Sequence, residues 1–298
     1  MASDMSNCTL CPRKCAADRA WGKTGLCGAG VRPMLARAAA HYWEEPCVSG
    51  ERGSGAVFFS GCSLKCVFCQ NYEISSGMKG VELTVPQLRD VFKRLEDAGV
   101  HNINLVNPTH FAAAIAEALE QPPGIPVVYN CGGYERVETL KMLEGKVQIY
   151  LPDMKYSDNA AARRYSGAGD YVETARAAIM EMYRQTGDYV LDDDGMLRRG
   201  VVIRHLVLPG LLDNSRGVID WVDDSFLPGS VLFSLMSQYT PCGRASEFPE
   251  IDRRLSEAEY REIREYMDRS GIMDGFFQDM ESAGEEFIPD FDFTGIET

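Results

Sequence analysis

From residue 56 onward, apolar and polar positions fall into a repeating two-part pattern. "AVFFSG" (56–61) is a short apolar run closed by glycine, the mark of a buried strand. "LTVPQLRDVFKRLEDAG" (83–99) switches to helical spacing. Leu88, Val91, Phe92 and Leu95 share one face, Thr84 and Gln87 stand at capping-box spacing, and Gly99 ends the run. The alternation predicts further strands over 102–108, 125–130, 147–155, 200–210 and 230–237. Helices are predicted over 111–120, 135–145, 159–186 with a break near Gly167–Gly169, 214–222 and 256–271. Pro152 argues that the fourth strand ends early. "DG" at 194–195 marks a hairpin turn before the fifth strand. Six strand–helix units predict a parallel sheet with helices outside, and both an open doubly wound sheet and a partial barrel carry that pattern.

Residues 1–50 are rich in Cys, Gly, Ala and Arg, lack this periodicity and read as a separate N-terminal segment. Residues 51–275 form the α/β unit, and 276–298 form an acidic tail with interleaved aromatics, either disordered or folded back as a lid. A chain of 298 residues, 45% hydrophobic, can build a large core without staples. The net charge of −14, with no Lys/Arg cluster, argues against a nucleic-acid substrate. No run of about 20 apolar residues and no signal-peptide core is present, so the expected place is the cytoplasm, away from membranes. Thiols stay reduced there, so clusters among the ten cysteines point to metal or catalysis rather than disulfides.

Ligands of parallel α/β folds sit at the carboxyl ends of the strands. Those ends carry "CSLKCVFC" (62–69), "NPTH" (107–110), "NCGGYE" (130–135), "PDMK" (152–155), Arg204 with His205, and "SQYTPCG" (237–243). Most of the unusual polar residues therefore fall on one rim.

Cys62, Cys66 and Cys69 stand as C-x3-C-x2-C on one irregular loop. A closed structural zinc site needs four ligands. Three thiolates can instead hold three corners of a [4Fe–4S] cube and leave one iron open. Zinc with a distant fourth ligand such as Cys47 is a rival reading, as are plain buried thiols. Cys8, Cys11, Cys15 and Cys27 form a second group, C-x2-C-x3-C-x11-C, suited to zinc or to a second iron–sulfur cluster, with a loose reduced segment as the bland alternative. Asp153–Lys155 could be a plain surface ion pair, and Asn107 and Thr109 could simply cap the next helix. His205 points away from Arg204 along a regular strand and reads as a packing residue.

The three-cysteine motif, with Phe68 before its last cysteine, resembles the signature of radical S-adenosylmethionine (SAM) enzymes. That resemblance implies a partial (β/α)6 TIM-like barrel preceded by a small Cys-rich metal-binding segment. It also implies a [4Fe–4S] cluster whose open iron chelates SAM, reductive cleavage of SAM to a 5′-deoxyadenosyl radical, and hydrogen abstraction. Residues 44–75, 151–156 and 204–210 are similar to the pyruvate formate-lyase activating enzyme group, most of all its PflX-type branch. By this resemblance Cys62, Cys66 and Cys69 hold the cluster, and Phe68 lies against adenine. Asp153 and Lys155 hold the methionyl end of SAM, with Arg204 near it. Asn107 and Thr109 stand where that group has Gly-Gly-Glu for SAM's amino group. Asn130 with Cys131 replaces an Asp-Thr pair beside a monovalent cation, and Gln238 with Tyr239 matches a Tyr-His pair. These substitutions supply hydrogen bonds without charge.

The expected function is radical SAM chemistry, either activating a partner glycyl radical protein or modifying a small molecule or peptide. A low-potential donor such as flavodoxin or ferredoxin would supply the electron. The non-enzymatic rival is an iron–sulfur electron carrier or metal scaffold.

Overall fold

The computed structural model describes residues 5–278 and 289–296. In chain order its elements are β1 (Met34–His41), α1 (Pro46–Ser49), β2 (Ser54–Phe59), α2 (Tyr72–Ser75), β3 (Val81–Glu82), α3 (Val85–Asp97) and β4 (Ile103–Val106). Next come α4 (Ala112–Ala118), β5 (Val127–Cys131), α5 (Val137–Lys141), β6 (Ile149–Pro152), α6 (Asn159–Ser166) and α7 (Tyr171–Thr186). The chain continues through β7 (Val190–Leu191), β8 (Leu197–Leu206), α8 (Leu212–Ser225), β9 (Leu232–Met236), α9 (Glu257–Met267) and β10 (Gly275–Phe277).

All six predicted strands form, and they are neighbours in order along one sheet, β10-β9-β8-β6-β5-β4-β2-β1-β3. Pairing is parallel from β2 through to β10, whereas β1 pairs antiparallel with both β2 and β3. β7 folds back on β8 as the predicted hairpin. The helix boundaries follow the local signals. Thr84 and Gln87 make both halves of the capping box of α3. Gly167, at φ +62°, ends α6 and splits the long predicted helix in two.

The packing separates a partial barrel from a doubly wound sheet. α3, α4, α5, α7, α8 and α9 all contribute to one large core on a single face of the sheet. The opposite face carries none of them. Its lower part is a small apolar plug of Val128, Ile149, Leu151, Val202 and Leu232, closed by Cys47 and Val48 of α1. Helices on one face only leave the other free to curl around a space, and above the plug that face bounds a cavity of about 580 Å³. Among the described residues no helix is long and apolar enough to cross a membrane.

Three strands escaped the pattern, among them the two-residue β3. β1 lies inside the segment read as aperiodic, because "MLARAAAH" offers small residues in place of apolar contrast. β10 is three residues long. The tail expectation falls partly outside the described residues, since 279–288 and 297–298 are not among them. Within the described part, Phe291 is buried against Phe58 of β2, with ring centroids 5.5 Å apart, and Arg37 of β1 pairs with Asp292 at 2.8 Å.

Candidate functional site

The three-cysteine loop leaves β2 through Gly61, at φ +88°. A Cβ there would lie 2.5 Å from the Cys27 carbonyl, so both conformation and space require glycine. The loop is held from outside: Val67 N–H donates to the Tyr165 carbonyl at 2.8 Å, and Arg13 Nε donates to the Ser63 carbonyl at 2.9 Å. Cys62, Cys66, Cys69 and Phe68 all line the cavity. Each sulfur receives a donor: Leu64 N–H on Cys62 at 3.4 Å, the Ser166 hydroxyl on Cys66 at 2.9 Å, and the Ser75 hydroxyl on Cys69 at 3.4 Å. Burial nonetheless pushes the Cys62 thiol up to about 12 and raises that of Cys66, with neighbouring thiolates adding to the rise at Cys62. A bound cation would reverse that balance, and the donors already in place suit thiolates. The donor set thus fits a three-thiolate iron–sulfur cluster. Cys47 belongs to the plug beneath, so it does not serve as a fourth ligand for zinc. Cys242 stands on the other side of the loop, its thiol donating to the Phe68 carbonyl at 3.1 Å.

The other expected contacts line the same cavity: Asn107, Thr109, Asn130, Asp153, Lys155, Arg204 and Gln238. The strands explain why. Asp153 bridges Arg204 in parallel register, and Arg204 stands level with Ser234, so the three form one row across the inner face. Arg204 splits its guanidinium between Asp153 Oδ1 at 3.0 Å, Glu44 Oε2 at 2.9 Å and Asn130 Oδ1 at 2.6 Å. Lys155 Nζ takes the other Asp153 oxygen at 2.6 Å. Burial works against the Asp153 charge, but Lys155 and Arg204 outweigh it and lower its pKa. Asp153–Lys155 is therefore a largely buried pair rather than a surface one. His205 is the packing residue expected, its ring bonded to the Met154 carbonyl and the Ser215 hydroxyl.

Neither Asn107 nor Thr109 caps the next helix. Asn107 adopts φ +58° and sits 3.4 Å from the Cys62 sulfur through its Oδ1. Thr109 donates to Glu135, which also accepts from the Tyr129 hydroxyl at 3.0 Å. Glu135 is buried without a cation, and burial lifts its carboxyl to about 7. Cys131 is buried beside this group on the cavity wall.

Glu44 and Glu45 escaped the site expectation. They enter from the turn between β1 and α1, and both line the cavity. Two acids before a proline in "EEPC" were the available signal, but without β1 nothing in the pattern aimed them inward.

Cys8, Cys11, Cys15 and Cys27 border one small void of about 10 Å³, together with Arg19 and His110. Among the described residues no three His, Cys, Asp or Glu side chains converge on a single ion position. Cubane ligands each bind a different iron, so they need no such convergence.

An uncharacterised protein of Methanocaldococcus jannaschii, MJ0674, is 29% identical over 275 residues, covering 88% of this chain and 73% of the relative. Among solved structures, Streptococcus suis SuiB aligns at a TM-score of 0.49 and 13% identity, over 75% of this chain; the chain spans about half of SuiB, 49%. A domain of a pyruvate-formate lyase-activating enzyme from Bacteroides vulgatus aligns at a TM-score of 0.38 and 13% identity, over 65% of this chain and 91% of that domain. The radical SAM superfamily pattern matches residues 56–222, from the strand before the three cysteines to α8. That match takes in more than half of the sequence, and the chain belongs to the radical SAM superfamily.

Proposed function

We propose that this protein cleaves SAM reductively at a [4Fe–4S] cluster held by Cys62, Cys66 and Cys69, and abstracts a hydrogen atom from a second substrate. The observation that carries this reading is the shared cavity: three thiols, Phe68 and the buried Asp153–Lys155–Arg204 group line one space. Cys62, Cys66 and Cys69 would hold the cluster, which when bound would supply the single electron, drawn from an external low-potential donor, that reductive cleavage of SAM requires. The chain's own residues bind and orient. Lys155, with one of its three donors on Asp153, presents a cation to a carboxylate, and Arg204 fixes Asp153 beside it. Asp153, with one bond on each oxygen, and Asn107 present acceptors to an amino group, and Phe68 offers a ring face to adenine. Phe58, Val106 and Met236 give the wall apolar surface that keeps water from the radical. An electron carrier would have no use for that charged row.

The similarity to activating enzymes suggests a glycyl radical partner protein. The cavity itself favours a small molecule or a peptide side chain, because four carboxylates line a space of about 580 Å³. The N-terminal thiols are read as a second metal site, zinc or iron, because all four border one void.

The test is anaerobic. Protein reconstituted with iron and sulfide, given SAM and dithionite, is expected to release 5′-deoxyadenosine, and Cys66→Ala is expected to lose that product. A well-formed cluster whose spectrum ignores SAM and which yields no 5′-deoxyadenosine would reduce the protein to a carrier. Iron and zinc counts per chain, wild type against Cys8→Ser with Cys27→Ser, test the second site.

A further inference from the structure

Four described carboxylates line the cavity: Glu44, Glu45, Asp153 and Glu135. Three of them have a partner on each oxygen. Glu44 accepts from Asn104 and Asn130 on one oxygen and from Arg204 on the other. Asp153 gives one oxygen to Arg204 and one to Lys155. Glu135 gives one to Thr109 and one to Tyr129. Glu45 differs. It is 4% exposed, and its Oε2 has no hydrogen-bond partner. The nearby cations are already engaged, since each nitrogen of the Arg204 guanidinium has its own acceptor.

Ser234 stands in register beside Arg204 and is fully buried, and its hydroxyl lies close to the Glu45 carboxyl without a hydrogen bond of good geometry. Gln278 adds an unpartnered buried Oε1 on the same cavity wall. The unsatisfied groups here are therefore acceptors, with one hydroxyl able to accept. An orphaned buried acceptor costs roughly 1–3 kcal/mol, and an orphaned charge costs more. Burial raises the Glu45 carboxyl, outweighing the Arg204 guanidinium and the Ser234 hydroxyl, which both lower it, and a further cation beside it would bring it down.

We propose that the inner end of this cavity, at Glu45 and Ser234, recognises an organic cation, an ammonium or guanidinium group carried by the second substrate. Such a group brings several donors and one positive charge, which is the complement of what these side chains lack. The inference rests on the cavity being the SAM-dependent site proposed above. It places the cationic end of the substrate beside the plug, with the rest of the molecule leading toward the cysteine loop.

The test uses reconstituted, SAM-bound protein under anaerobic calorimetry, with n-pentylammonium and n-pentanol as probes. The ammonium is expected to bind at least tenfold more tightly than the alcohol. Glu45→Gln and, separately, Ser234→Ala are expected to shrink that preference to threefold or less, with SAM affinity moving less than twofold. Equal binding of the two probes, or binding of neither, overturns the proposal. A tenfold loss of SAM affinity in Glu45→Gln also overturns it, because these groups would then belong to SAM. The 5′-deoxyadenosine assay on the same samples separates the two readings. Cation preference without SAM cleavage would sink the proposed function, and cleavage without cation preference would sink the cation site alone.

Discussion

Arg204 shows how much of this site depends on the geometry of one side chain. A guanidinium can face three acceptors in one plane, and Asp153, Glu44 and Asn130 occupy those directions at 2.6–3.0 Å. Arg204→Lys keeps the charge and abandons most of the fork. Two charge-assisted bonds are lost, so the expected cost is roughly 3 kcal/mol in a urea titration. A shift near zero would mean the network reorganises freely around lysine. Glu135 offers a test of pH. Its carboxyl rises from the ordinary 4.5 to about 7 in the fold because it is buried, with only hydroxyl and thiol donors to offset that burial. Between those values the unfolded chain is ionised while the folded protein keeps its proton. Stability therefore falls as pH climbs through that window. Glu135→Gln removes the titration, so its stability relative to wild type should improve by about 3 kcal/mol from pH 5 to pH 8. A pH-independent difference would show that Glu135 ionises normally.

Elements deliver these residues through turns whose backbone leaves little choice. Gly133 and Gly145 have nearly the same φ, +76° and +77°, but a Cβ on Gly133 would lie 2.1 Å from the Asp153 carbonyl, whereas one on Gly145 meets open space. Alanine at Gly145 should cost roughly 1 kcal/mol, the price of the left-handed conformation. At Gly133 the clash should add roughly 1–3 kcal/mol and displace the Asp153–Lys155 strand end. Equal losses at the two positions would mean the rim yields without cost. The contrast also shows what a sequence can reveal. Both glycines are visible as turn residues, but only packing distinguishes them. The six strands and the capping box of α3 were legible because apolar period and cap chemistry are local. So was the rim, because strand ends place Cys62, Asp153 and Arg204 together whatever the details. β1 was not legible, since alanines carry no contrast between its faces. With β1 went the inward course of Glu44 and Glu45, which depends on how the chain turns from β1 into α1.

At the scale of the molecule, the N-terminal segment acts as a clamp across the barrel rim. Arg13 donates to the Ser63 carbonyl in the cysteine loop at 2.9 Å and to the Gly167 carbonyl after α6 at 2.6 Å, and it lies 5.2 Å from the centre of the Tyr134 ring. Arg136 bonds back to the Thr9 carbonyl, and the Thr139 hydroxyl donates to the Leu10 carbonyl at 2.7 Å. Arg19 is 2% exposed and reaches the His110 carbonyl at 2.7 Å. Loops after β2, β4, β5 and α6 are thus tied to one short stretch of chain. Such ties restrict local opening more than they raise global stability, because each exposed bond contributes only about 1 kcal/mol. Arg13→Ala should therefore lower the denaturation midpoint only slightly. Amide exchange in residues 61–69 should quicken at least tenfold, and a chelator should strip iron from the reconstituted protein several times faster. If exchange in the loop stays at its wild-type rate while iron is still lost faster, the ties do not hold the loop, and the clamp reading fails. If both stay unchanged, the cysteine loop keeps its shape through Gly61 and its bonds to Tyr165, Ser166, Cys242 and Arg244, and the N-terminal segment serves its own thiols rather than the cavity.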